Sequence, residues 1–256
     1  MPSIYLSPST QEYNPYITGG TEEQYMNELA DALEPYLLSN GIRFIRNKPE
    51  MTAASSIAAS NAGEYDLHLA LHSNAAPGAQ AGTVRGSQAY YYPGSSRGER
   101  AAQHFAEQLK RIYPLPENVQ AIPTTTIGEV RRTRAPAVLL EVAYHDNPED
   151  AAWITANISE IARALAQALT QYFGLPFREA AVPRDGVVTL TSGYLNIRDN
   201  PSPQGTVIAR AYNGAPLTIW GRAGDYAIVQ FGTIVGFAKS EFISIFPEPA
   251  QEHKTR

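Results

Sequence analysis

Apolar and polar positions along the first two thirds of the chain alternate between a strand period and a helix period. Ile4-Tyr5-Leu6 is a short apolar run, followed by a polar loop rich in Asn, Pro and Gly. Thr21-Glu22-Glu23-Gln24 is a capping box: Thr21 caps the first helical amides and Gln24 reaches back. Met26, Leu29, Leu33 and Leu37 then recur at helical spacing and predict a helix, kinked at Pro35 and ended by Asn40-Gly41. Further strands are predicted over 42–45, 66–72, 88–92 and 137–141, and helices over 51–61, 100–112 and 151–173. Strand–helix alternation of this kind predicts an α/β fold, a mostly parallel sheet flanked by helices. Ligands in such folds sit at the carboxyl ends of the strands, which is where His72 and Glu141 fall.

The pattern changes after Gly174. Pro176, Pro183, two glycines and mixed charges break it, so residues 1–176 read as one domain and 177–186 as a linker. Short apolar runs then follow, among them Val187-Val188-Thr189-Leu190, Leu195-Asn196-Ile197-Arg198, Leu217-Thr218-Ile219-Trp220 and Tyr226-Ala227-Ile228-Val229, with glycines between them. This spacing predicts a small all-β barrel over 187–247, followed by a frayed tail at 248–256 that carries His253.

Composition narrows the function classes. Hydrophobic residues make up 43% of the 256 positions and charged ones 18%, a globular balance. A formal net charge of −5 gives no electrostatic argument for nucleic acid, and no apolar run reaches the roughly 20 residues that span a bilayer. The first residues carry no basic segment followed by an apolar one, so no Sec-type signal is expected. With no cysteine, any metal must be held by His, Asp or Glu.

Candidate chemistry concentrates on two strands. Asp66-Leu67-His68-Leu69-Ala70-Leu71-His72-Ser73-Asn74 ends an apolar strand on an imidazole, and Pro136-Ala137-Val138-Leu139-Leu140-Glu141 ends another on a carboxylate. An acidic residue directly after Val-Leu-Leu is costly to bury without a purpose. Together with Leu6-Ser7-Pro8-Ser9, Glu23 with Asn27 four later, and Gly86-Ser87-Gln88-Ala89-Tyr90-Tyr91-Tyr92, these segments resemble the zinc-dependent N-acetylmuramoyl-L-alanine amidases of the Amidase_3 type over about residues 3–173. The resemblance implies Glu23 and His72 as zinc ligands and Glu141 as the catalytic carboxylate. It also implies peptidoglycan as substrate, cut at the amide between N-acetylmuramic acid and L-alanine by zinc-activated water.

One position departs from that pattern. The family's first-strand motif reads Asp-Pro-Gly-His-Gly-Gly, where this chain has Ser7-Pro8-Ser9-Thr10-Gln11-Glu12, so the ligand histidine falls on Thr10. A neutral hydroxyl is a poor zinc ligand. Glu12, Gln11 and His145 are the candidates to replace it. His68 shares a strand face with His72 but lies four residues back, roughly 13 Å, too far to share a metal. His104 reads as a solvated helix residue and Arg131-Arg132-Thr133-Arg134 as a solvated turn.

The C-terminal segment resembles a bacterial SH3 (SH3b) domain, carried by Gly193-Tyr194-Leu195-Asn196-Ile197-Arg198-Asp199-Asn200-Pro201-Ser202 and by Gly224-Asp225-Tyr226 and Gly236-Phe237-Ala238. That resemblance implies cell-wall binding. The expectation is a wall hydrolase made in the cytoplasm and released by lysis or by non-Sec export. The alternative is a non-catalytic wall-binding protein on a degenerate amidase fold.

Overall fold

The computed structural model describes residues 1–247; the tail read at 248–256, with His253, lies outside the described residues. The chain divides into two compact units, Pro2–Glu179 and the residues from Ala180 onward. In the first unit, β1 (Ser3–Pro8) is followed by α1 (Glu22–Ser39), β2 (Arg43–Arg46), α2 (Ala53–Ala62), β3 (Leu67–Asn74) and β4 (Ser87–Tyr91). Then come α3 (Ser96–Lys110), β5 (Val119–Pro123), α4 (Gly128–Arg131), β6 (Ala137–Tyr144), α5 (Pro148–Ala156) and α6 (Ile158–Phe173). The sheet order is β2-β1-β3-β6-β4-β5. Its only antiparallel pairing joins β4 to β6; the others are parallel.

Strand alternation sends the two faces of this sheet to different surroundings. Leu6, Leu69, Leu71, Val138 and Leu140 pack with Leu29 and Leu33 of α1, Phe105 of α3 and Leu165 of α6 in the main core. Ala70, Ala137 and Leu139 point the other way, where Val130 of α4 joins them in a much smaller cluster. The thinly covered face also carries His68, His72 and Glu141, so the polar chemistry and the bulk of the core occupy opposite sides of one sheet.

Local signals explain most helix ends, and three details differ from expectation. The Thr21 hydroxyl accepts from the Gln24 amide at 3.2 Å, but the Gln24 side chain runs forward to Glu28 rather than back to the cap. The stretch 151–173 is two helices, because Asn157 sits at φ −123° and ψ 21° and its side chain donates to the Trp153 carbonyl at 2.7 Å. β5 is an edge strand with one buried residue and no apolar run, so the sequence pattern does not announce it. Thr21→Ala, which removes the cap of α1, is expected to cost about 1 kcal/mol in urea unfolding.

The second unit is a seven-stranded antiparallel sheet in the order β13-β7-β10-β11-β12-β8-β9. Its strands are β7 (Arg184–Val188), β8 (Tyr194–Arg198), β9 (Val207–Tyr212), β10 (Pro216–Ala223), β11 (Tyr226–Phe231), β12 (Ile234–Lys239) and β13 (Ile243–Ile245). Val188, Leu195, Ile197, Leu217, Ile219, Ala227 and Val229 form its core. Gly224 (φ +63°) and Gly232 (φ +60°) turn the hairpins into and out of β11 in the left-handed region that glycine tolerates. β7 begins at Arg184, inside the stretch read as linker, because its polar start is held by pairing with β10 and β13.

Candidate functional site

His72 and Glu141 are register partners on the parallel strands β3 and β6, so the fold sets them side by side on the thinly covered face. The side chain that reaches His72 from α1 is Glu22: its Oε1 lies 2.7 Å from Nδ1 of His72. Glu22 is 1% exposed and also accepts from Asn14 Nδ2 at 2.7 Å and Gln11 Nε2 at 3.4 Å. Glu23, the expected ligand, is not in this cluster; among the described residues its recorded bond is the backbone carbonyl accepting from Asn27 Nδ2. Successive residues on a helix point about 100° apart, so the first-turn carboxylate aimed at β3 is decided by the angle at which α1 docks. Spacing to Asn27 could not fix that angle. Glu22→Ala is expected to lower unfolding free energy by about 2 kcal/mol, as an exposed paired carboxylate would not, and Glu23→Ala by less than about 0.5 kcal/mol. Equal effects in urea titrations would contradict the assignment.

The second carboxylate on His72 comes from the short helix α4. Glu129 Oε2 lies 3.1 Å from His72 Nε2, and Glu129 Oε1 lies 3.3 Å from His68 Nε2. The Ser7 hydroxyl donates to the same Oε1 at 2.7 Å. One carboxylate thus spans the two strand positions that share a face but cannot share a metal. His68 is completed by Ser60 Oγ at 3.0 Å from Nδ1 and by the Tyr5 ring stacked 5.4 Å away. Sequence reasoning missed Glu129, which lies in a loop-like stretch beside Arg131, Arg132 and Arg134. Its one signal is that it is the only acidic residue between Glu117 and Glu141.

The electrostatics follow from this arrangement. Burial alone would lower the His72 pKa, but the hydrogen bonds to Glu129 and Glu22 and the charges of Glu129 and Glu141 outweigh it and push it up to about 10. Burial opposes ionisation of Glu129, yet its bonds to His68 and His72 hold it well below the usual carboxylate range. Glu22 is likewise lowered against its burial, by the bond to His72, that ring's charge, and Asn14 and Ser9. Glu141 differs. Burial pushes it up to about 7; the His72 charge opposes that shift, and the charges of Glu22 and Glu129 reinforce it. Its Oε2 is shut from solvent and without a hydrogen-bond partner. Beside these groups a cavity of about 250 Å³ is lined by Ser9, Thr10, Gln11, Tyr13, Met51 and His72 among others.

These donors do not fit a catalytic zinc. A catalytic zinc takes three protein ligands, and Glu22, whose Oε1 lies 2.7 Å from His72 Nδ1, brings the count only to two. The group nearest the third position is Gln11, whose Nε2 lies 3.2 Å from His72 Nδ1. Asn14 Nδ2 donates to Gln11 Oε1 at 3.1 Å, which turns the amide nitrogen, a donor, toward the gap. The other two replacements stand elsewhere: Glu12 is exposed, and His145 Nδ1 donates to the Ser73 carbonyl at 2.8 Å beneath the Tyr16 ring. Among the described residues no group of three or more His, Cys, Asp or Glu side chains could hold a metal ion.

Comparison with known proteins agrees with the N-terminal architecture. The catalytic domain of CwlV, an N-acetylmuramoyl-L-alanine amidase from Bacillus (Paenibacillus) polymyxa var. colistinus, superposes with a TM-score of 0.59 at 17% identity, covering 69% of this chain and 100% of that one. The amidase AmiC2 of Nostoc punctiforme gives 0.59 at 14% identity, over 68% and 97%. Ami1 of Mycobacterium smegmatis gives 0.58 at 15% identity, over 68% and 97%. At these identities the likeness is one of fold. No curated protein sequence matches the chain. The Amidase_3 family, described as N-acetylmuramoyl-L-alanine amidase, matches residues 10–171, a span that runs from the loop after β1 into α6. That span covers more than half of the sequence and contains Glu22, His72, Glu129 and Glu141, and by it the chain belongs to the N-acetylmuramoyl-L-alanine amidase family.

Proposed function

We propose that the protein is a peptidoglycan amidase that cleaves the bond between N-acetylmuramic acid and L-alanine, with Glu141 as its proton-transferring carboxylate. The supporting observation is the state of Glu141: a carboxyl held at about 7, with an unpartnered buried Oε2, next to the cationic ring of His72. A carboxylate with a pKa near the working pH can take a proton from water as that water attacks the amide carbonyl, then return it to the departing amine. His72 supplies the positive charge beside it. The family is typically zinc-dependent, but the donors around His72 do not fit that ion, so no step is assigned to it. The C-terminal antiparallel sheet serves in this reading as an SH3b-type module that holds the protein on the cell wall; the Leu195-Asn196-Ile197-Arg198 segment on β8 supports it.

A second reading has a specific observation in its favour. Both ring nitrogens of His72 are tied to carboxylates, which leaves the site without an evident electrophile, as in a protein that recognises the wall without cutting it. One experiment separates the two: release of free amino groups from purified peptidoglycan by wild type and by Glu141→Gln, alongside co-sedimentation with the wall. Release that depends on Glu141 supports the amidase. Wall binding without any release supports recognition alone.

A further inference from the structure

We infer that this chain's site does not hold the family's metal, because Gln11 presents an amide nitrogen where a third ligand beside Glu22 and His72 would be needed. Three observations carry it. First, a catalytic zinc takes three protein ligands, and beside His72 Nδ1 stand Glu22 Oε1 at 2.7 Å and the amide nitrogen of Gln11 at 3.2 Å. Second, Asn14 Nδ2 donates to Gln11 Oε1 at 3.1 Å, which fixes the Gln11 amide with its nitrogen, a donor, toward Nδ1. Third, Glu129 is committed elsewhere, since its Oε1 takes bonds from Ser7 and His68. It cannot turn toward Nδ1 without stripping a 0% exposed histidine of its partner.

Glu129 is in this view a positioning residue, which fixes the ring of His72 through Nε2. The geometry also moves the altered ligand position by one residue. Thr10 aligns with the family histidine, but Gln11 is the side chain within 3.4 Å of both His72 and Glu22.

The test reads metal binding and stability, not cleavage, so it stands or falls separately from the amidase reading. Wild-type protein and Gln11→His are dialysed against zinc, and bound metal is measured by mass spectrometry. Melting temperatures are recorded with zinc and with chelator. The wild type is expected to retain no zinc above background and to melt at the same temperature in both. Gln11→His, which restores an imidazole beside Nδ1, is expected to bind zinc at least about 100-fold more tightly than the wild type. One zinc per wild-type chain, with a melting temperature that chelator lowers, overturns the inference. Failure of Gln11→His to gain zinc overturns the assignment of Gln11 as the altered ligand position. Amino-group release by a zinc-free wild type would leave both readings standing.

Discussion

Glu141→Gln is expected to reduce amino-group release from peptidoglycan by roughly 10²–10⁴-fold, the usual worth of a positioned general acid–base group. The substitution keeps the shape but replaces the ionisable carboxyl with a neutral amide that can neither take nor return a proton. A base with a pKa of about 7 is active once ionised, so the wild-type rate should climb as pH rises through that value and level off above it. The same shift predicts a change in stability of opposite benefit. The folded state holds the Glu141 proton to about 7, while the unfolded chain releases it near the ordinary 4.5. Between those values the unfolded state binds fewer protons, so folding stability falls as pH rises across the window. Above pH 7 the full cost is on the order of 3 kcal/mol. Glu141→Gln avoids that cost and should therefore unfold at higher urea than the wild type at pH 8, with the difference shrinking toward pH 4.5. A variant that cuts the wall as fast as the wild type would remove Glu141 from the reaction.

The other large effect is expected at Glu129. Its carboxylate is 5% exposed and serves two buried histidines, so Glu129→Ala strands both Nε2 atoms at once. Removing one partner of a buried pair costs about 3–5 kcal/mol, chiefly because the remaining charge is left uncompensated. The pH dependence has two shoulders. His72 titrates near 10 when folded and near 6.5 otherwise, so its contribution is complete below 6.5 and is lost as pH rises through about 10. Glu129 is lowered from 4.5, so its contribution is complete above that value and is lost as pH falls through its folded pKa. The stabilisation should be greatest between about 4.5 and 6.5, and Glu129→Ala should flatten both shoulders of the wild-type curve in urea titrations across pH. A loss of under about 1 kcal/mol would show that the bridge between His68 and His72 does not form.

Much of this molecule is written in local patterns. The apolar runs of β1, β3 and β6 and the heptad-like spacing of Met26, Leu29, Leu33 and Leu37 mark the sheet and α1 directly. Burial of a whole sheet face selects such runs, so they survive in the sequence as periodicity. β5 and α4 carry no comparable mark because each is short and buries little: one residue of β5 and two of α4 are buried. Of the two, α4 nonetheless supplies the site with Glu129.

What the sequence by itself determined is the strand–helix alternation, the change to a β-rich C-terminal unit, and the placement of His72 and Glu141 at the carboxyl ends of two strands. Each depends on period and order, which a single chain displays. That those strands pair directly is a tertiary outcome. Only the tertiary structure decided which first-turn carboxylate reaches His72, that Glu129 closes its other nitrogen, and that Gln11 turns its amide nitrogen into the position a metal would need a donor to fill. Those outcomes depend on helix docking angle and on contacts across 50, 57 and 61 residues of chain, distances over which no local propensity carries information.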